Sequence, residues 1–434
     1  MNVVSRVEMQ VPGDKSISHR AIMFAALADG ASRVRGLLPG EDPQSTASVL
    51  RMLGAGVPTI PGDGGEVSIL GRGLQGLTAP DGDLDCGNSG TTARLMFGIL
   101  AGHKFSATLT GDDSLRTRPM RRVTEPLQHM GARFQELGAP DRLPIRVTGG
   151  TLRPIDFASP RASAQVKSAI LLAGLTGGVE VCVREPGLSR DHTERMLRAM
   201  GVSIETEIAR DGGAIVTLSP PERLEPLDWT VPGDFSSAAF FIAYALLAPG
   251  AELAVRGVGV NPTRAGMLPV LERMGARVEL ENPSDVGGEP VADVVVGSAA
   301  LHGTEIGGAE MPTLLDEIPI IAAIAARAEG VTRITGAEEL RVKESDRLAV
   351  VAENLRAVGV HAEELPDGMI IHGTDAPLRG AVRVHHDHRI AMAFGVLAAL
   401  PGNEITLDQP EAVSVSYPGF WQDLARCKAA WVRV

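Results

Sequence analysis

The stretch VPGDKSISHR occupies residues 11–20 and VPGDFSSAAF residues 231–240, so one tetrapeptide corner is written twice, 220 positions apart in a chain of 434 residues. Each corner leads into a polar first turn and then an apolar run of small residues, KSISHRAIMFAALADG after the first and DFSSAAFFIAYALLAPG after the second. Four other segments share the plan: NSGTTARLMFGILAG, SAQVKSAILLAGLTGG, DEIPIIAAIAARAEG and DHRIAMAFGVLAALPG. Each predicts a helix with a polar start and a body buried nearly all round. Their starts, near Lys15, Asn88, Ser163, Asp234, Asp316 and Asp387, are 73, 75, 71, 82 and 71 residues apart.

A second repeated cadence interleaves with the first: SVLRMLGAGV, EPLQHMGARF, ERMLRAMGVS, PVLERMGARV and ENLRAVGVHA. Apolar residues at i, i+3 and i+4, closed by Gly, predict an amphipathic helix with a glycine stop. FWQDLARC, from Phe420, is a truncated sixth copy. Between the helices, alternation in RVEMQV, EVSIL, PIRVTG, AIVTLS and GMIIHG predicts strands. A period above 70 residues exceeds that of common solenoids, so each unit holds two helices and several strands. Six units divided by two corners predict an α/β chain of two similar halves.

Composition narrows the function. The chain is 44% hydrophobic and 22% charged, with mean hydropathy +0.08, as expected of a globular protein. A net charge of −12 and 3% aromatic residues argue against a nucleic-acid or membrane-surface binder. Cys86, Cys182 and Cys427 are too few and too scattered for a disulfide framework or a CxxC metal site, and read as buried free thiols. With neither a signal core nor a spanning apolar stretch, a cytoplasmic location is expected.

The polar starts suggest the chemistry. Helix N-termini converging on one space bind anions even in an acidic protein. Cations cluster there: Lys15, Arg20, Arg94, Lys167 and Arg389 at helix starts, Arg118, Arg121 and Arg122 in TRPMRR, Arg190 in LSRDH, and Arg341, Lys343 and Arg347 in RVKESDR. On a helix Lys343 and Arg347 share a face, with Glu344 beside them. GRGLQG at 71–76 matches GxGxxG but opens no helix, so turn chemistry is expected there and no dinucleotide fold. HHDH at 385–388 lacks a second ligand cluster, and no metal is expected.

PGDKSISHR, GNSGTTARL, RTRPM, SAQVKSA, SRDHTERML, DEIPI, RVKESDR and DHRIAM, in that order from residue 12 to residue 392, resemble the EPSP synthases of the enolpyruvyl transferase family. The resemblance implies a two-domain inside-out α/β barrel of six βαβαββ repeats, with the active site in the interdomain cleft. It implies one domain of residues 1–13 and 233–434, another of 14–232, and crossings near 12–14 and 231–234. At each crossing Pro would fix one φ and Gly would permit another. The activity implied is transfer of the enolpyruvyl group of phosphoenolpyruvate to the 5-hydroxyl of shikimate 3-phosphate, without cofactor or metal, by a monomer.

By the same resemblance Lys15, Ser16, Arg20, Ser163, Gln165 and Arg190 would bind shikimate 3-phosphate, beside Asp316 and Lys343. Lys15, Gly90, Arg118, Gln165, Arg347 and Arg389 would hold phosphoenolpyruvate. Asp316 would be the general base, with Lys15 or Glu344 as proton donor and His388 in support. Gly90 would leave room for glyphosate. Position 164 is Ala where some members have Ser, and Val415 stands where some carry a lysine. The related transferase acting on UDP-N-acetylglucosamine resembles Lys-Asn at its start and carries a loop Cys, whereas this chain has Lys15-Ser16 and Leu115. A non-catalytic anion-binding scaffold would spread its charge along one face, unlike these differing clusters.

Overall fold

The computed structural model describes residues 6–431 apart from 211 and 309. The chain divides into two compact units, one of residues 1–12, 232–284 and 290–434, the other of 13–231 and 285–289. Each has its own apolar core.

The six predicted helices form those cores. Lys15–Leu27, Gly90–Ala101 and Ala164–Gly177 lie in the second unit; Phe235–Leu247, Ile318–Ala325 and His388–Ala399 lie in the first. In Phe235–Leu247 every residue from Phe235 to Leu246 is buried, so a stripe-like apolar pattern is neither present nor needed. Four of the polar starts are side-chain caps: Asp14 accepts from Ile17 N, Ser89 from Thr92 N, Asp234 from Ser237 N and Asp387 from Arg389 N, whereas Ser163 and Glu317 make no such bond. The amphipathic helices also form, and the glycines closing five of them, Gly54, Gly131, Gly201, Gly275 and Gly359, take φ of 86° to 117°, where a side chain is strained.

The sheets repeat as the helices do. Leu84–Asp85 runs parallel to Ser106–Thr110, which continues antiparallel through Ile145–Thr148 to Arg133–Glu136. The same parallel, antiparallel, antiparallel order recurs from Ile155–Ala158 to Ser203–Ile208 and from Glu305–Ile306 to His361–Leu365. The pair Arg379–Val382 and Glu404–Leu407 is parallel and stops at two strands. Gly71 to Gly76 forms turns and opens no helix.

Three readings are corrected. The corner glycines Gly13 and Gly233 do not take positive φ; a Cβ on Gly13 would stand 1.8 Å from the carbonyl oxygen of Gly36, so close backbone approach is what demands glycine there. Lys343 and Arg347 do not share a helix. A 3-10 segment ends at Val342, and Asp346 caps a new helix, Arg347–Ala357, by accepting from Ala349 N. Of the three free thiols Cys86 and Cys427 are buried, but Cys182 is only partly so, on the less buried face of the strand Val181–Glu185.

Candidate active site

Each unit carries a cluster of its own. In the second unit Asp14 caps the helix that begins at Lys15, whose Nζ is 3.1 Å from Asp42 Oδ2. Arg20, one turn on, is buried: Nη1 donates to Ser16 O at 3.0 Å, Nε to Thr193 Oγ1 at 2.7 Å and Nη2 to Ser168 Oγ at 2.9 Å. Burial pulls its pKa down to about 10, against the pull of Glu194, and it stays cationic at neutral pH.

Gly90 begins its helix under two guanidinium groups. A Cβ there would lie 2.9 Å from Arg94 Nη1 and 3.5 Å from Arg118 Nη1. Arg94 donates to Gln165 Oε1 at 2.8 Å and to Pro119 O, while Arg118 donates to Asn88 Oδ1 at 2.7 Å. Gln165 also donates to Thr91 Oγ1. The structure thus gathers Gly90, Arg118 and Gln165, and adds Arg94 and Asn88, which the motif reading left out although both stand within GNSGTTAR.

Ser163 N donates to Glu185 Oε1 at 2.8 Å, and Ser189 Oγ reaches the same carboxylate. Arg190, next in the chain, is half-buried. Lys167 is not an open cation: it is fully buried, 2.9 Å from Glu185 and 2.8 Å from Glu194. Burial pushes the Lys167 ammonium down, but Glu194 and Glu185 outweigh it and the net direction is up. Its charge is spent inside the wall that carries Ser163 and Arg190, because two buried carboxylates require a partner.

In the first unit Asp316 lies in the 3-10 turn Leu315–Glu317 that opens Ile318–Ala325. Its Oδ1 is 3.7 Å from Lys343 Nζ and 3.6 Å from Arg347 Nη1, so the two cations meet at Asp316 despite lying off one helix. Arg347 is buried and forks onto Asp387, 2.8 Å and 3.1 Å, with Glu344 at 2.7 Å. Burial pushes the Asp387 carboxyl up, but Arg347 overrides this and holds it below the usual range.

Asp387 simultaneously caps the helix of His388 and Arg389. His388 is buried at its first position, and Arg389 Nη1 donates to Asp316 O at 2.9 Å and Ser236 Oγ at 3.0 Å. Ser236 bonds Glu317 and Arg264, and Arg264 is 2.9 Å from Glu317. The second VPGD corner therefore feeds this cluster through Ser236, as the first feeds the other through Lys15. Asp387 and Glu317 were not among the expected site residues; an Asp immediately before His388-Arg389 at a helix start is the signal that marks the first. Arg341 is occupied by Asp346 and Glu364 and stands apart from the cluster.

The family model for EPSP synthase (3-phosphoshikimate 1-carboxyvinyltransferase) matches residues 3–424. The chain belongs to this family. It is 50% identical over 422 residues to the 3-phosphoshikimate 1-carboxyvinyltransferase of Synechococcus sp. (strain WH7803), covering 97% of this chain and 95% of the relative. The enzyme of that name from Bacillus licheniformis is 47% identical over 424 residues, 96% of each chain. The EPSP synthase structure from Acinetobacter baumannii superposes with TM-score 0.85 at 43% identity, over 97% of this chain and 95% of that one. An enolpyruvyl transferase from Streptomyces tendae shares the fold, with TM-score 0.76 at 18% identity, over 98% of this chain and 94% of that one. Leu115 is a buried leucine of a 3-10 turn.

Proposed function

We propose that the two clusters act together on one pair of substrates. As a member of the EPSP synthase family the chain transfers the enolpyruvyl group of phosphoenolpyruvate to the 5-hydroxyl of shikimate 3-phosphate, releasing phosphate. In this reading its units are the two domains of an inside-out barrel, crossing at the VPGD corners, and the substrates bind in the cleft.

Lys15, Ser16, Arg20, Ser163, Gln165 and Arg190 hold shikimate 3-phosphate. Arg118, Arg347 and Arg389, with Lys15, Gln165 and the backbone at Gly90, hold phosphoenolpyruvate; planar guanidinium forks suit its carboxylate and phosphate. The observation that carries the assignment is Asp316, a half-buried carboxylate at the head of an apolar helix between Lys343 and Arg347.

Asp316 takes the proton of the 5-hydroxyl as its oxygen attacks C2 of phosphoenolpyruvate, while C3 gains a proton from Lys15 or Glu344, with His388 in support. The tetrahedral adduct then loses a proton from C3 and expels phosphate. Lys343 positions the hydroxyl, and the arginines stabilise charge on the phosphate as it leaves. Where some members offer a lysine, Val415 offers no charge, so the arginines carry that end of the site. We place the protein in the cytoplasm as a monomer; among the described residues no helix is long and apolar enough to cross a membrane.

Phosphate release from phosphoenolpyruvate tests the reading, with shikimate 3-phosphate in one reaction and UDP-N-acetylglucosamine in another. Release only in the first is expected; release in the second, or in neither, overturns it.

A further inference from the structure

On the sheet of the first unit, strands His361–Leu365 and Gly368–His372 run antiparallel with His361 directly opposite His372. Glu363 is two residues from His361 and therefore on the same face. The imidazole rings lie with centroids 4.4 Å apart, tilted by 39°, and His361 Nε2 is 3.9 Å from Glu363 Oε1. One donor atom from each of His361, Glu363 and His372 lies within 4.8 Å of the other two, the one such trio among the described residues. His361 and Glu363 are exposed and His372 half-buried, so the donors are open to solvent.

Val331 flanks His372 on the next strand, and Arg333 stands in the Glu363 row with Ile370 between them. Two imidazole nitrogens and one carboxylate oxygen suit the borderline divalent ions of the first transition row. Tetrahedral Zn²⁺, with ligands at about 2.0–2.2 Å, needs donors about 3.4 Å apart, which side-chain rotation reaches from the spacing present. None of the proposed substrate-binding or catalytic residues lies on these strands.

We infer that His361, Glu363 and His372 form a surface site for a divalent transition-metal ion of the zinc class, with water completing the coordination. The ion clamps the open end of the hairpin whose other end, at Leu365 and Pro366, accepts bonds from Arg341.

The full chain, stripped with a chelator and dialysed, is titrated with ZnCl₂ alone by calorimetry. One equivalent is expected to bind. His361→Ala and His372→Ala should each weaken binding by more than about tenfold, since even groups that merely orient a metal ligand cost that much. The double variant His385→Ala, His386→Ala should bind as the parent does. No binding to the parent chain, or unchanged binding in the His361 and His372 variants, overturns the site. Thermal melts without metal establish that each variant is folded, and His372→Gln replaces any that is not.

Discussion

Asp316 stands where a carboxylate has both a task and support. Asp316→Asn keeps the shape and the apolar helix behind it, so substrate affinity should change little while kcat falls by about 10²–10⁴-fold. Steady-state kinetics with tryptophan-fluorescence titration of shikimate 3-phosphate separates the two; unchanged turnover would remove Asp316 from the base role. At Gly90 a methyl group would press on Arg94 Nη1, the far end of a long side chain, so Gly90→Ala should fold and shift the guanidinium that holds Gln165. The glyphosate inhibition constant, measured against phosphoenolpyruvate, should rise by at least about tenfold. Lys167→Met tests the wall. It leaves Glu185 and Glu194 buried without their cation, and a loss of about 3–5 kcal/mol is expected from urea unfolding.

Among the elements, the helix Lys15–Leu27 gives the clearest pH signature. His19 is fully buried, its Nδ1 2.7 Å from Thr46 Oγ1, and burial pulls its pKa from 6.5 down to about 3. Between pH 6.5 and 3 the unfolded chain binds this proton and the folded chain does not. Stability is therefore full above about pH 6.5 and is lost as the pH falls toward 3. Burial lowers His103 too, so the slope has two contributors. His19→Gln should flatten the dependence of the urea midpoint across this window; an unchanged slope would contradict a neutral buried imidazole.

At the scale of the whole molecule, cationic side chains stand in both units of a chain of net charge −12. If both clusters hold one pair of polyanionic substrates, as proposed above, binding is expected to draw the units together. Small-angle scattering should show a smaller radius of gyration on addition of shikimate 3-phosphate; no change would count against closure.

Much of this architecture is legible in the chain. Repetition of polar start and small-residue body marks six buried helices, because a cap must be polar and a fully buried helix must be apolar all round. The glycine stops are legible because few other residues take positive φ. Motif order carries the family and, through it, the activity. What tertiary structure alone decides is which charges are spent. Lys167 and Arg341 look in sequence like Lys15 and Lys343, yet the first two stand off the clusters, each between two carboxylates, while Lys15 and Lys343 stand within them beside Asp42 and Asp316. Asp387 reaches Arg347 across 40 residues, and Gly13 is required by a carbonyl at Gly36 rather than by its own φ. Local pattern records a helix or a turn, whose forces act between neighbours in the chain. A buried ion pair depends on distance and desolvation between distant segments, and only packing sets those.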